Sequence, residues 1–286
     1  MAVLSSNNIC PTEVKSVFQL RNVSFEYEVN CPAIKNISLT IAPGERVALM
    51  GANGCGKSTL LKILGGLQFA TSGVVEAFGL PINSKELDNE HTAFTFRRQV
   101  GFIFQNSDAQ LFSSTVEEEI AFGPLHMGLS HEETMQRVRD VSALTSIEHM
   151  LQRAPFQLSG GEKKRVALAC VLACNPEVLL MDEPTAALDP RAQNWLLQLL
   201  DKLHNAGKTL IVATHDMETV TQIADRALIF REDHTLAADI PTSQLKDNHK
   251  LLVDVNLIHE HIHRHGAVVH SHPHGHGGEH EHEHIL

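Results

Sequence analysis

The chain has 286 residues, 43% of them hydrophobic and 5% aromatic, with a formal net charge of −11. That length suits one large domain or two subdomains with an ample core, and the acidic balance argues against nucleic acid as the main partner, because phosphate backbones are met by clustered lysine and arginine. Five cysteines (Cys10, Cys31, Cys55, Cys170, Cys174) form no paired framework and fit a reducing compartment.

In chain order, residues 1–16 read as an N-terminal extension without the charged start and apolar stretch of a secretory signal. Val23–Val29 reads as an early strand carrying Tyr27, and Val47–Met50 as a short buried parallel strand. The second runs into Gly51, Asn53, Gly54, Gly56, Lys57, Ser58 and Thr59, after which Leu60–Leu64 begins a helical pattern. This is G-x-x-x-x-G-K-S in its strand–loop–helix setting. Glycines let successive N–H groups wrap a phosphate, and the helix start adds a favourable dipole. Lys57 is placed to reach the β- and γ-phosphates and Ser58 to ligate Mg²⁺.

Val100–Phe104 is the next strand, ending at Gln105. Thr115–Phe122, Ser130–Thr145 and Ile147–Leu151 then show helical apolar spacing, so residues 106–157 form a helical insertion. Leu158–Glu162 (LSGGE) opens a helix over Glu162–Ala173, and its serine and glycines make a second anion-binding helix start. Cys170 and Cys174 lie four apart on that helix, a spacing suited to core packing or to sharing a metal. The longest clearly apolar run, Val166–Cys174, is about half of a membrane span, so the chain is expected not to cross a bilayer. Val178–Met181 is a further buried strand that delivers Asp182, suited to a Mg²⁺ shell, and Glu183, suited to polarising a water. His215 follows the strand Thr209–Thr214.

Gly51–Thr59, Gln105, LSGGE, VLLMDEP (Val178–Pro184) and His215, met in this order, resemble the ATP-binding cassette (ABC) ATPases, whose signature is usually LSGGQ. The resemblance spans roughly Val17 to Ile240. It implies an α/β fold: a RecA-like P-loop core, an antiparallel β subdomain near the N-terminus and a helical subdomain at about 106–157, within an ATPase domain of residues 17–250. It implies ATP and Mg²⁺ as cofactors and a head-to-tail homodimer in which Ser159, Gly160 and Gly161 contact the γ-phosphate held by the partner subunit. It also implies that Tyr27 stacks on adenine, that Gln105 touches Mg²⁺ and the attacking water, and that Asp189, in the loop from Ala187, couples the two sites. His215 would contact the γ-phosphate and steady Glu183, the base. Glu162, Lys164 and Ala187 depart from the commoner residues while leaving the backbone donors and acids in place.

QNSDAQLF (Gln105–Phe112) and EEEIAFGP (Glu117–Pro124) are similar to the energy-coupling-factor branch of ABC importers. That implies a transmembrane coupling protein and a substrate-binding membrane subunit as partners, and a peripheral position on the cytoplasmic face of the membrane. Phe102, Phe104, Leu111 and Phe112 flank Gln105 and suit either a groove for a partner helix or ordinary core.

Residues 251–286 read as a flexible, histidine-rich tail, with 11 of the 19 histidines between His259 and His284. His270, His272, His274, His276, His280, His282 and His284 are candidate ligands for Ni²⁺ or Co²⁺, although Cu²⁺ and Zn²⁺ suit imidazole as well. Together with the resemblance, the tail makes nickel or cobalt uptake the leading expectation. Import of another micronutrient such as a vitamin, or soluble ATP-switched metal storage or sensing, are the alternatives.

Overall fold

The computed structural model describes residues 16–107, 110–265 and 268–275, with backbone only from 259 onward. Its first layer is an antiparallel sheet. Strands β1 (Phe18–Glu28), β2 (Cys31–Ile41), β4 (Ser72–Ala77) and β5 (Leu80–Pro81) lie in the order β2-β1-β4-β5. Phe18 pairs with Ile41 on one side and with Ala77 on the other. Phe18, Leu20, Val23 and Phe25 are buried while the residues between them are partly or fully exposed, as one-sided sheets require.

The second layer is the six-stranded sheet that carries the site. It contains β3 (Arg46–Met50), β6 (Val100–Ile103), β7 (Val178–Asp182), β8 (Thr209–Ala213), β9 (Arg226–Phe230) and β10 (Leu236–Pro241), in the order β10-β9-β3-β8-β7-β6. All neighbours are parallel except β9 and β10. VLLMD and TLIVA are buried at every position, the reading of strands covered on both faces. Helices α1 (Lys57–Leu64), α7 (Pro190–Asn205) and α8 (Met217–Ile223) follow β3, β7 and β8 in the chain, while the short α2 (Ser84–Leu87) and α3 (Glu90–Gln99) lead into β6. The expected strands at 47–50, 100–104, 178–181 and 209–214 are therefore present within a residue or so.

The insertion is helical as expected, with α4 (Val116–His126), α5 (His131–Thr145) and two short 3₁₀ turns ahead of α6 (Gly160–Ala173). Each long helix is capped by a side-chain oxygen. Thr115 accepts from Glu118 N, and Ser130 and Ser159 form capping boxes with Glu133 and Glu162. The sequence halts α4 at Phe122, yet it continues through Pro124 to His126. Packing decides this: α4 lies so close on α6 that a Cβ at Gly123 would meet Cys174 Sγ at 2.5 Å, and tertiary contact overrides the proline's weak helix preference. Helix α6 likewise starts at Gly160, two residues before its expected start, because Ser159 is the cap.

The boundary of the expected tail is corrected. After β10 a helix α9 (His249–Asp254) forms, and Leu252, Val255, Leu257 and Ile258 are buried in the main core. These four apolar residues leave water, so the packed domain runs to Ile258 and not to residue 250. Strands β11 (Ile258–His265) and β12 (Val268–Gly275) then pair antiparallel, in place of the featureless chain expected there. The alternating His-x-His pattern has the period of a strand. His276, His280, His282 and His284 lie outside the described residues. Among the described residues, no helix is long and apolar enough to cross a membrane.

Candidate nucleotide-binding and hydrolysis site

Four parallel strands end at one edge of the six-stranded sheet, and each delivers part of the site there. Strand β3 leads into Gly51, β6 is followed by Gln105, β7 ends at Asp182 before Glu183, and β8 precedes His215. Register fixes the last two beside each other, because Asp182 pairs with Ala213. Ligands of open α/β sheets gather at this carboxyl edge.

The loop between β3 and α1 is held by close packing. Gly56 has φ of +113°, and a Cβ there would lie 2.2 Å from Ala33 O, so no side chain fits. Lys57 is buried, and its Nζ donates to Gly51 O at 2.7 Å and to Ala52 O at 3.1 Å, which holds the ammonium across the mouth of the loop. Ser58 Oγ donates to Asp182 Oδ1 at 2.9 Å. Hydroxyl and carboxylate thus converge, hard oxygen donors of the kind Mg²⁺ takes, and Gln105 lines the same cleft as Ser58.

Glu183 is the most constrained residue of the site. It is buried and has φ of +46°, a left-handed conformation costing a non-glycine residue roughly 1–2 kcal/mol. Hydrogen bonds on both sides of the residue hold it there. Its N–H donates to Ala213 O at 2.9 Å, and its carbonyl accepts from Lys164 Nζ at 3.3 Å. Lys164 Nζ also donates to Ala186 O at 3.1 Å, and burial pushes its ammonium below the ordinary lysine value despite the nearby Glu183. Sequence reading took Lys164 only as a departure from a pattern. The structure makes it the strut between α6 and the Glu183 backbone. His215 Nδ1 lies 2.8 Å from Glu183 Oε1. An ionised carboxylate only accepts, so the imidazole Nδ1–H donates and fixes the direction of the carboxyl.

A cleft of about 620 Å³ brings together Tyr27, Asn53, Gly54, Gly56, Lys57, Ser58, Thr59, Gln105, Glu183 and His215. Tyr27 is 52% exposed, packs edge-on against Phe25 with ring centroids 4.9 Å apart, and shares a hydrogen bond with Thr59 Oγ1 at 3.1 Å. Its free ring suits stacking on a planar base. Cys31, Pro32, Ala33 and His234 also line this cleft, and sequence reading assigned none of them to it.

Three expected residues, Ser159, Gly160 and Gly161, are not in the cleft. Ser159 and Glu162 satisfy each other in the capping box, and the Ser159 N–H and hydroxyl hold the Glu162 carboxyl below its usual value. A Cβ on Gly160 would meet nothing within 4 Å, and one on Gly161 only Leu188 at 4.0 Å. Gln105 lies between the two regions, lining the cleft and also a smaller hollow with Gly160, Lys164 and Ala186–Leu188. Asp189, too, lies off the cleft and caps α7 by accepting from Ala192 N at 2.8 Å. Cys170 and Cys174 pack along α6, with the Cys174 thiol 3.7 Å from Cys170 O and both thiols pushed up by burial. Among the described residues, no group of three or more His, Cys, Asp or Glu side chains that could hold a metal gathers.

Comparison with known proteins agrees with this geometry. Residues 34–186 match the family model described as ABC transporter. The chain is similar to a putative ABC transporter ATP-binding protein of Methanosarcina acetivorans, 48% identical over 255 residues that cover 88% of this chain and 92% of that protein. It is also similar to the nickel import ATP-binding protein LarO of Lactiplantibacillus plantarum, 44% identical over 229 residues that cover 80% and 95%. Among solved structures, cbiO1 from Clostridium perfringens, part of the ABC transporter complex cbiONQ, superposes with a TM-score of 0.73 at 32% identity, covering 85% of this chain and 95% of that one. The chain belongs to the ABC transporter family, as an ATP-binding subunit whose ATPase activity is coupled to transport.

Proposed function

We propose that the chain is the ATP-hydrolysing subunit of an energy-coupling-factor importer, seated on the cytoplasmic face of the membrane and driving uptake of a transition-metal ion, nickel or cobalt, across it. The observation that carries the catalytic part is the Glu183–His215 pair, 2.8 Å apart in the same cleft as Lys57 and Ser58. Backbone N–H groups of residues 51–59 and the Lys57 ammonium would bind the triphosphate, with Tyr27 stacked on the base. Ser58, Asp182 and Gln105 would hold Mg²⁺, which when bound offsets charge on the β- and γ-phosphate oxygens. Glu183 takes the proton of the attacking water, and His215 keeps its carboxylate aimed. Ser159–Gly161 are read as donors to the γ-phosphate of a second copy, with Asp189 near that seam. Their absence from the lining of their own cleft and the open space at Gly160 support this reading.

An apolar groove of about 450 Å³ supports a membrane partner. It is lined by Phe112, Ala121, Phe122, Leu125 and Met135, and Phe112 is 68% exposed. Exposed aromatics of this size suit a partner's helix, fixed next to the Gln105 segment that senses the cleft. Dimer closure and reopening would be passed to that helix through the 105–112 segment. Such a groove is superfluous for a free-standing metal store, which weighs against that alternative.

Nickel or cobalt as cargo rests on the similarity to LarO, a nickel import ATP-binding protein, and on the 11 histidines from His259 onward, read as a metal-buffering segment. The test is uptake of labelled Ni²⁺ and Co²⁺ by the chain reconstituted with the membrane proteins that co-purify with it. ATP-dependent accumulation of either ion is expected, whereas ATP-driven uptake of a vitamin alone would replace the metal assignment. Deleting Gly266–Leu286 is expected to lower the number of Ni²⁺ or Co²⁺ ions bound and to spare basal ATPase activity. Unchanged stoichiometry would remove the buffering role.

A further inference from the structure

His234 belongs to no motif, yet it lines the nucleotide cleft beside Cys31, Pro32 and Ala33. It sits in the turn between β9 and β10 with φ of +72°, a conformation that glycine adopts without penalty and histidine does not. The turn is firmly placed. The His234 carbonyl accepts from Lys35 N at 3.0 Å, which ties it to β2, and its own N–H donates to Arg231 O at 3.0 Å. Asp233 Oδ1 accepts from both Thr235 N and Thr235 Oγ1. Backbone bonding therefore explains where residue 234 is, and any residue would make those bonds. It does not explain why an imidazole stands there.

The ring has a direction. Nδ1 is buried without a hydrogen-bond partner, whereas Nε2 is not among the buried unpartnered atoms. A buried N–H without an acceptor is costlier than a buried bare lone pair. The preferred neutral tautomer thus leaves Nδ1 bare and puts the proton on Nε2, the nitrogen left accessible. Lys57, Ser58, Gln105, Glu183 and His215 supply the polar groups suited to phosphate and Mg²⁺, while the bond from Lys35 N sets His234 against β2, the strand that brings Cys31, Pro32 and Ala33 to the same cleft.

We infer that His234 is a nucleoside-positioning residue: its Nε2–H donates to an acceptor on the ribose or base of the nucleotide, adding a directional bond to the stacking by Tyr27. The inference rests on ATP occupying this cleft, and it adds a specificity contact that phosphate binding does not provide.

The test is equilibrium binding of ATP and of inorganic tripolyphosphate, both without Mg²⁺ so that nothing is hydrolysed, to the full chain and to His234→Gly. Glycine keeps the left-handed backbone and removes the ring. ATP should bind about 2–10-fold more weakly, the loss of one hydrogen bond, tripolyphosphate should bind equally well, and the melting temperature of the free protein should be unchanged or higher. His234→Asn, which also tolerates positive φ, should show the same split. Unchanged ATP affinity, or an equal loss for tripolyphosphate, would overturn the inference. If the unaltered chain bound neither ligand, the cleft assignment itself would fail, a result distinct from failure of the His234 contact.

Discussion

Two helices in this chain begin with a glycine-rich turn, and their surroundings are opposite. At the start of α1, Gly56 is pressed against Ala33 O, Lys57 is buried, and Ser58 touches Asp182 from a neighbouring strand. At the start of α6, Ser159 and Glu162 cap each other, Arg153 adds a 3.4 Å ion pair to the Glu162 carboxylate, and Gly160 faces open space. Both ends present backbone N–H groups and a positive dipole end suited to an anion. One is a finished site within a single copy. The other lies outside the cleft on a smaller hollow shared with Gln105, Lys164 and Ala186–Leu188, which suits the half of a shared site proposed for it.

That contrast breaks first at Gly56. Gly56→Val cannot coexist with the position of Ala33 O, so ATP affinity should fall by more than 100-fold with a stability loss of about 2 kcal/mol or more. Retained binding in a filter or fluorescence assay would mean that the loop is not the phosphate cradle. Gly160→Glu is the mirror experiment, since a side chain there meets nothing in the same copy. The variant should fold and bind ATP as a monomer normally, yet turn over at least 10-fold more slowly, because a carboxylate would face the γ-phosphate of the second copy. Normal turnover would remove the α6 end from the reaction.

Lys164 joins the two regions and should give an intermediate effect. Lys164→Ala leaves the Glu183 and Ala186 carbonyls without their ammonium partner, which should cost about 1–3 kcal/mol in denaturant unfolding and reduce kcat more than ATP affinity. The smallest effect concerns Glu162, whose carboxyl is held below its usual value by the Ser159 N–H and hydroxyl. A lowered folded-state value contributes stability above the ordinary glutamate value of about 4.3 and loses it as pH falls through the folded value. The stability difference between the wild type and Glu162→Gln should therefore be a few tenths of a kcal/mol near pH 7, since the carboxyl is partly exposed and screened by water, and should vanish in acid. A difference that grew on acidification would contradict the cap.

The same contrast shows what could be read from the chain. Fully buried parallel strands appear as uninterrupted apolar runs, so VALM and VLLM announced themselves, and the residues just after them had to lie at one sheet edge. Asp182 and Glu183 were legible for that reason, whereas Gln105 and His215 stood out only by their resemblance to the family's ordered motifs. The continuation of α4 past Pro124 was not, because it depends on contact with Cys174, a residue 50 positions away. Nor was the packing of Leu252 to Ile258, where an apolar stretch ran into a histidine-rich one and composition masked the boundary. His234 had no spacing to betray it, since its place in the cleft follows from a hairpin turn bonded to Lys35.

The most direct test of the central claim, that one copy binds ATP and a pair hydrolyses it with Glu183 as base, is Glu183→Gln in size-exclusion chromatography and single-turnover assays with MgATP. Retained ATP affinity, a hydrolysis rate at least 10³-fold lower and a stable ATP-dependent dimer are the expected results. Near-normal hydrolysis, or a protein that stays monomeric at saturating ATP, would contradict it.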